Sequence, residues 1–203
     1  MKLYEFAPNP SSRRVTIFLK ELGIELETVQ LDVRAGENLT EEYLAKSING
    51  KVPMLELNDG TCISETVAIC RYIAQQKQNF SLFGETPVEA GLVEMWQRIV
   101  ELDGLYAGFQ AFRNLSGVYS DRERCVKEWG VESKRRVEEF LPKLDKQLAT
   151  HPFIAGKKLS IADITGFLFV GIICLKALEI DALSDYPNIT RWFEMLSQRP
   201  AFQ

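Results

Sequence analysis

The chain has 203 residues, 46% of them hydrophobic and 26% charged, which suits a folded protein with ample core, as one large domain or two small ones. A formal charge of −4 and a pI near 5.3 argue against nucleic acid as the main partner, because phosphate binding needs a basic face. The start MKLYEF carries no signal-peptide core, and no apolar run approaches the roughly 18 residues of a membrane span. A cytoplasmic protein with no membrane partner is therefore expected. Cys62, Cys70, Cys125 and Cys174 show neither CxxC nor zinc spacing and read as reduced structural thiols, so no metal is expected. His151, the only histidine, lies in the loop THPF and makes a poor base for a Ser/His triad.

Residues 2-KLYEF-6 alternate as a short strand that stops at Pro8. From Val15, the apolar positions Val15, Ile17, Phe18, Leu19 and Leu22 predict a helix closed by Gly23. The pair Arg13-Arg14, like Lys134-Arg135-Arg136, reads as a solvated helix face. A second strand is predicted over 26-LETVQLDV-33, then a short helix opened by Thr40 with Glu41 and Glu42. The segments 53-PMLELND-59 and 61-TCIS-64 flank Asn58-Asp59-Gly60 as strand, turn and strand, and 65-ETVAICRYIAQQ-76 follows as a helix. The predicted order is β-α-β-α-β-β-α.

The stretch 77-KQNFSLFGETP-87 breaks this pattern and reads as a linker, with 80–86 at its centre. Domains are expected over 1–79 and 87–203. In the second, helical periodicity covers roughly 87–115, 121–149, 160–178 and 186–198. Ser160-Ile161-Ala162-Asp163 has the form of a capping box with a structural role.

Two motifs point to ligand chemistry. Val52-Pro53 precedes a strand after the polar turn Ser47-Ile48-Asn49-Gly50-Lys51. A cis bond here would turn the Val52 backbone outward for an extended peptide; the residues alone leave cis and trans open. In 63-ISETVAI-69, Ser64 or Glu65 opens a helix whose free N–H groups suit a carboxylate, while the Glu65 carboxylate suits an ammonium and Thr66 adds a hydroxyl. Plain N-capping by Ser64 is the alternative.

Taken together, GKVPMLEL, ISETVAICRYI and FIAGKKLSIADIT resemble the glutathione S-transferase family along the whole chain. The resemblance implies a thioredoxin-like α/β first domain with a mixed four-stranded sheet, an all-α second domain, and a homodimer. It implies glutathione as co-substrate and a small electrophile as second substrate. Val52 is then expected to pair through its backbone with the cysteinyl unit beside a cis Pro53. Glu65 and Thr66 are expected to hold the γ-glutamyl head, and Lys51, with Asn38 in GENL, the glycyl carboxylate.

In such a fold the start of the first helix faces the sulfur. An unperturbed thiol titrates near 8.5, and lowering that by about two units needs roughly 2.7 kcal/mol. A helix terminus supplies up to about 2 kcal/mol and one charge-assisted hydrogen bond about 1.5–3 kcal/mol, so a donor at the helix start is required. In 7-APNPSSRRVTIFLKELG-23, Asn9 stands where many members have Ser, Tyr4 lies early in the first strand, and the turn has no Cys. The pattern is similar to atypical bacterial and fungal branches lacking the usual catalytic residue. Ser11 is expected as direct donor, Asn9 as second candidate and Ser12 as a cap. Tyr106, Phe109 and Arg113 are expected to line the electrophile site. The implied activity is conjugation of the glutathione thiolate to small hydrophobic electrophiles. A glutathione-dependent disulfide or peroxide reductase and a non-catalytic binding module stand as alternatives.

Overall fold

The computed structural model describes residues 1–203, which form two compact units, Met1–Phe80 and Ser81–Gln203. In the first unit the elements run β1 (Lys2–Glu5), α1 (Pro10–Glu21), β2 (Glu27–Gln30), α2 (Glu41–Leu44), β3 (Met54–Glu56), β4 (Cys62–Ser64) and α3 (Thr66–Lys77). The sheet has the order β2-β1-β3-β4. β1 pairs parallel to β2, with Leu3 opposite Thr28, and antiparallel to β3, with Leu3 opposite Leu55. β4 adds antiparallel to β3, with Leu55 opposite Ile63. This is the mixed, thioredoxin-like sheet that the family resemblance implies.

The helix boundaries follow local chemistry. Thr40 caps α2 by accepting the Tyr43 N–H at 3.3 Å. Past the end of α1, Gly23 takes the left-handed conformation (φ 63°) that a side chain would resist. α1 packs against α3, burying Val15, Ile17 and Phe18 on one helix and Ile69, Cys70 and Ile73 on the other. Arg14, expected on a solvated face, is instead only 3% exposed. A one-residue step along the helix turns it toward α3, where its stem packs and its head finds an oxygen.

In the second unit the helices are α4 (Pro87–Ile99), α5 (Ala107–Ser116), α6 (Lys127–Thr150), α7 (Ile161–Leu168) and α8 (Pro187–Ser197). Where the periodicity predicts unbroken helices, two wide π-helical segments appear, Val100–Tyr106 between α4 and α5, and Phe169–Ala177 after α7. The second of them packs closely against α5. A Cβ on Gly108 would lie 2.2 Å from Ile173 Cγ2, so the chains approach more closely than any side chain allows. α6 begins at Lys127 rather than near 121, because Gly117 (φ 66°) ends α5 and Tyr119 O accepts the N–H groups of Arg122 and Glu123 in a turn.

Every residue of α7 is buried. At its start the Asp163 carboxylate accepts the Ser160 N–H (2.9 Å), the Ser160 hydroxyl (2.9 Å), the Ile154 N–H (2.8 Å) and Trp192 Nε1–H (2.9 Å). The expected capping box is thus the centre of a buried network joining α7, the preceding loop and α8. No helix is long and apolar enough to cross a membrane.

Candidate functional site

The turn before β3 is wired by side chains. Tyr43 Oη donates to the Lys51 carbonyl (2.8 Å), the Lys51 N–H donates to Asn49 Oδ1 (3.2 Å), and Asn38 Nδ2 donates to the Gly50 carbonyl (2.6 Å). These bonds satisfy the turn and leave the Val52 backbone N–H and C=O without a partner in the chain. The Val52–Pro53 bond is cis. The Val52 side chain is buried with Tyr43 and Met54, so that its backbone, not its side chain, is offered to a partner.

Beside this turn lies the start of α3. No side chain caps it, and Ser64, the alternative cap, ends β4 instead. The first helical bond there runs from the Ile69 N–H to the Glu65 carbonyl (2.9 Å), which leaves the N–H groups of Thr66, Val67 and Ala68 open. Glu65 is held at φ 69°, ψ 120°, a conformation costing a non-glycine residue about 1–3 kcal/mol, and such strain concentrates where function requires it. Its carboxylate accepts from Asn49 Nδ2 at 3.2 Å. Asn49, read from the sequence as a turn residue only, therefore bridges the two motifs. Thr66 Oγ1 accepts from Arg14 Nη1 at 2.7 Å, a bond shielded from water.

Ser12 is not a cap: it is fully buried, and its hydroxyl accepts the Phe6 N–H at 3.1 Å, fastening the loop that leaves β1. Asn9 is the cap, accepting the Ser11 N–H at 2.8 Å. Pro10 has no N–H, so within the first turn the Ser12 N–H, the Ser11 hydroxyl and the Asn9 amide N–H₂ remain as donors. Tyr4 is spent elsewhere, donating to Glu56 Oε2 (2.6 Å) and accepting from Lys46 Nζ (3.3 Å). The Glu56 carboxylate, with burial, holds the Tyr4 phenol above its ordinary range, opposite to what an anion-stabilising tyrosine needs.

The first unit thus gathers Asn38, Lys51, Val52, Pro53, Glu65 and Thr66 around one turn and one helix start. Asn38 sits beneath the turn, nearly buried, and one of its N–H groups supports Gly50. In the second unit a cleft of about 240 Å³ is lined by Gln110, Arg113, Asn114, Arg124, Cys125 and Trp129, among others. Arg113 is there, paired with Glu123 (2.7 Å) and lying over the Tyr119 ring (5.1 Å). Tyr106 and Phe109 are not part of that lining, and Tyr106 is 54% exposed.

A thioredoxin-like unit with a cis-proline turn and an uncapped third helix, followed by an all-helical unit, defines the class of fold. Residues 1–75 match the family described as "Glutathione S-transferase, N-terminal domain", and residues 112–200 match "Glutathione S-transferase, C-terminal domain". The chain is 31% identical over 205 residues to Glutathione S-transferase 2 of Saccharomyces cerevisiae, covering 99% of this chain and 87% of that protein. It is 32% identical over 201 residues to Glutathione S-transferase F10 of Arabidopsis thaliana, covering 95% and 90%. A solved structure of a Gtt2-class glutathione S-transferase of Vibrio parahaemolyticus superposes with a TM-score of 0.89 at 52% identity, covering 100% of this chain and 96% of that one. The chain belongs to the glutathione S-transferase family.

Proposed function

We propose that this protein is a cytoplasmic glutathione transferase that adds the glutathione thiolate to an electrophilic carbon of small hydrophobic molecules. The observation that carries the reading is the open start of α3 beside the unpartnered backbone of Val52. An extended peptide paired with Val52 through both backbone groups would direct an amino-acid head toward Thr66 and Glu65. The helix N–H groups and the Thr66 hydroxyl suit its carboxylate, and Glu65 suits its ammonium. Lys51 is free to reach the far carboxylate, with Asn38 supporting the turn that carries it.

The chemistry then falls to α1. The Ser11 hydroxyl has no partner in the chain and is the leading donor to the sulfur; Asn9, its carbonyl occupied by the Ser11 N–H, offers its amide N–H₂ as second donor. One such bond together with the helix terminus supplies the roughly 2.7 kcal/mol that a two-unit drop in thiol pKa requires. Rate enhancement comes from holding the ionised sulfur next to the electrophile, with no covalent enzyme intermediate. Tyr106, Phe109 and Arg113 are the residues proposed to receive the electrophile.

Homodimerisation is part of the proposal. α4 leaves Val88, Leu92 and Met95 exposed at spacings of four and three, a stripe suited to a second copy. Four unpaired cysteines suit the reducing cytoplasm.

Calorimetry with glutathione, followed by an absorbance titration of the bound thiol, tests the binding and the ionisation. Conjugation of a dinitrohalobenzene measured against reduction of a small disulfide tests the reaction. Activity in the second assay alone would replace the proposed reaction with glutathione-dependent reduction. The binding-module alternative draws support from the α1 start, where Pro10 and Asn9 remove two N–H groups from service; binding with an unshifted thiol would establish it.

A further inference from the structure

We infer that Arg14 is a positioning residue that converts Thr66 into a one-way hydrogen-bond donor toward the glutamyl α-carboxylate of glutathione. The inference rests on the function proposed above and concerns a residue that the sequence pattern placed in solvent. Arg14 is 3% exposed and Thr66 8% exposed, and the guanidinium Nη1 donates to Thr66 Oγ1 at 2.7 Å.

A threonine hydroxyl has one proton and two lone pairs. A guanidinium has donors only and cannot give up its charge near neutral pH, so Thr66 can only accept from it. With a lone pair fixed on Arg14, the O–H must turn away from the cation, and the chain offers it no acceptor. Thr66 is the first residue of α3, where the N–H groups of the opening turn are also open. The proton is therefore presented where those N–H groups converge. The buried cation behind it polarises the hydroxyl and adds positive potential with little screening by water. A carboxylate gains from all three; a neutral or cationic group does not. Because Arg14 belongs to α1 and Thr66 to α3, the same bond ties the helix start assigned to the sulfur to the one assigned to the glutamyl head.

The test is a double-mutant cycle read by calorimetry on the full-length protein, using Arg14→Met and Thr66→Val. The ligands are glutathione and 4-aminobutyryl-cysteinylglycine, which is glutathione without its α-carboxylate. Each single change is expected to weaken glutathione by about tenfold, and the double variant to be no weaker than the worse single. Neither change should alter binding of the analogue by more than about twofold, since the contact it lacks is the one removed. Should Arg14→Met fail to fold, Arg14→Lys runs the same cycle, because its ammonium keeps the charge but not the planar fork. It is expected to give an intermediate loss toward glutathione alone. Additive losses, or equal losses for both ligands, would overturn the role of Arg14 while leaving the proposed function standing. Failure of the unaltered protein to bind glutathione would overturn both.

Discussion

Asn49 Nδ2 donates to the Glu65 carboxylate at 3.2 Å, so the turn before the cis-proline and the strained entry to α3 are one unit. Asn49 also accepts the Lys51 N–H with Oδ1, which leaves its two ends committed to the two motifs. Glu65→Ala is expected to weaken glutathione by at least about tenfold, through the lost charge-assisted contact, with the melting temperature nearly unchanged. Calorimetry and thermal melting on one preparation check this. If only the melting temperature falls, Glu65 does not hold the head group.

Glu65→Gly separates strain from binding. Glycine adopts φ 69° freely, which relieves about 1–3 kcal/mol in the folded state against a cost of about 0.5–1 kcal/mol from unfolded-chain freedom. A higher melting temperature with the same loss of affinity is expected. A lower melting temperature would mean that the backbone is at ease with a side chain there.

Ser11→Ala is expected to raise the pKa of bound glutathione by about one to two units, the equivalent of one lost hydrogen bond to an anion. Stability should hardly change, since the Ser11 hydroxyl has no partner in the chain. Asn9→Ala, in contrast, removes the cap on the Ser11 N–H and should cost about 1 kcal/mol of stability. An absorbance titration of the bound thiol, with melting curves beside it, distinguishes the two. An unshifted thiol in Ser11→Ala would pass the donor role to Asn9 or to the helix N–H alone.

Asp163 gives a pH dependence with a definite sign. Burial is the largest influence on its carboxyl and raises its pKa from 3.8 to about 6, against the four donors that favour the anion. The folded state then holds the proton more tightly than the unfolded chain. This contribution to stability is complete below pH 3.8 and is lost as pH rises through about 6. Asp163→Asn should flatten that decline in denaturant titrations between the two values. Asp163→Ala leaves Ile154 N–H, Ser160 N–H and Trp192 Nε1–H without an acceptor and should cost more than about 3 kcal/mol. A steeper decline in Asp163→Asn would reverse the assignment.

Gly108→Ala tests the close packing of α5 on the Phe169–Ala177 segment. The added carbon would stand 2.2 Å from Ile173 Cγ2, and overpacking of this kind costs about 1–3 kcal/mol. Ile173→Ala removes Cγ2, and in combination with Gly108→Ala it is expected to cost less than the sum of the two single changes. Independent, additive losses in urea unfolding would show that the two residues do not compete for the same space.

What the sequence by itself determined is whatever depends on neighbours along the chain. Alternation in KLYEF, the helical spacing from Val15, Thr40 ahead of two glutamates and the Ser160–Asp163 pair each specify a local hydrogen-bond pattern and a buried face. The elements and their order were legible for that reason, while the pairing of the strands into one mixed sheet was implied only by the family resemblance. The tertiary structure decided which partner each polar group meets. Ser11 and Ser12 are adjacent and chemically alike. One hydroxyl remains free while the other fastens Phe6, because the loop from β1 passes only one of them. Arg13 and Arg14 form a like pair in the sequence, yet Arg14 turns under α3 to Thr66. Gly108 in α5 lies against Ile173 of a second segment, a contact that periodicity, which counts residues along one helix, does not see. Hydrophobic spacing carries the information of burial; the identity of a hydrogen-bond partner is a matter of distance in space, which only the folded chain supplies.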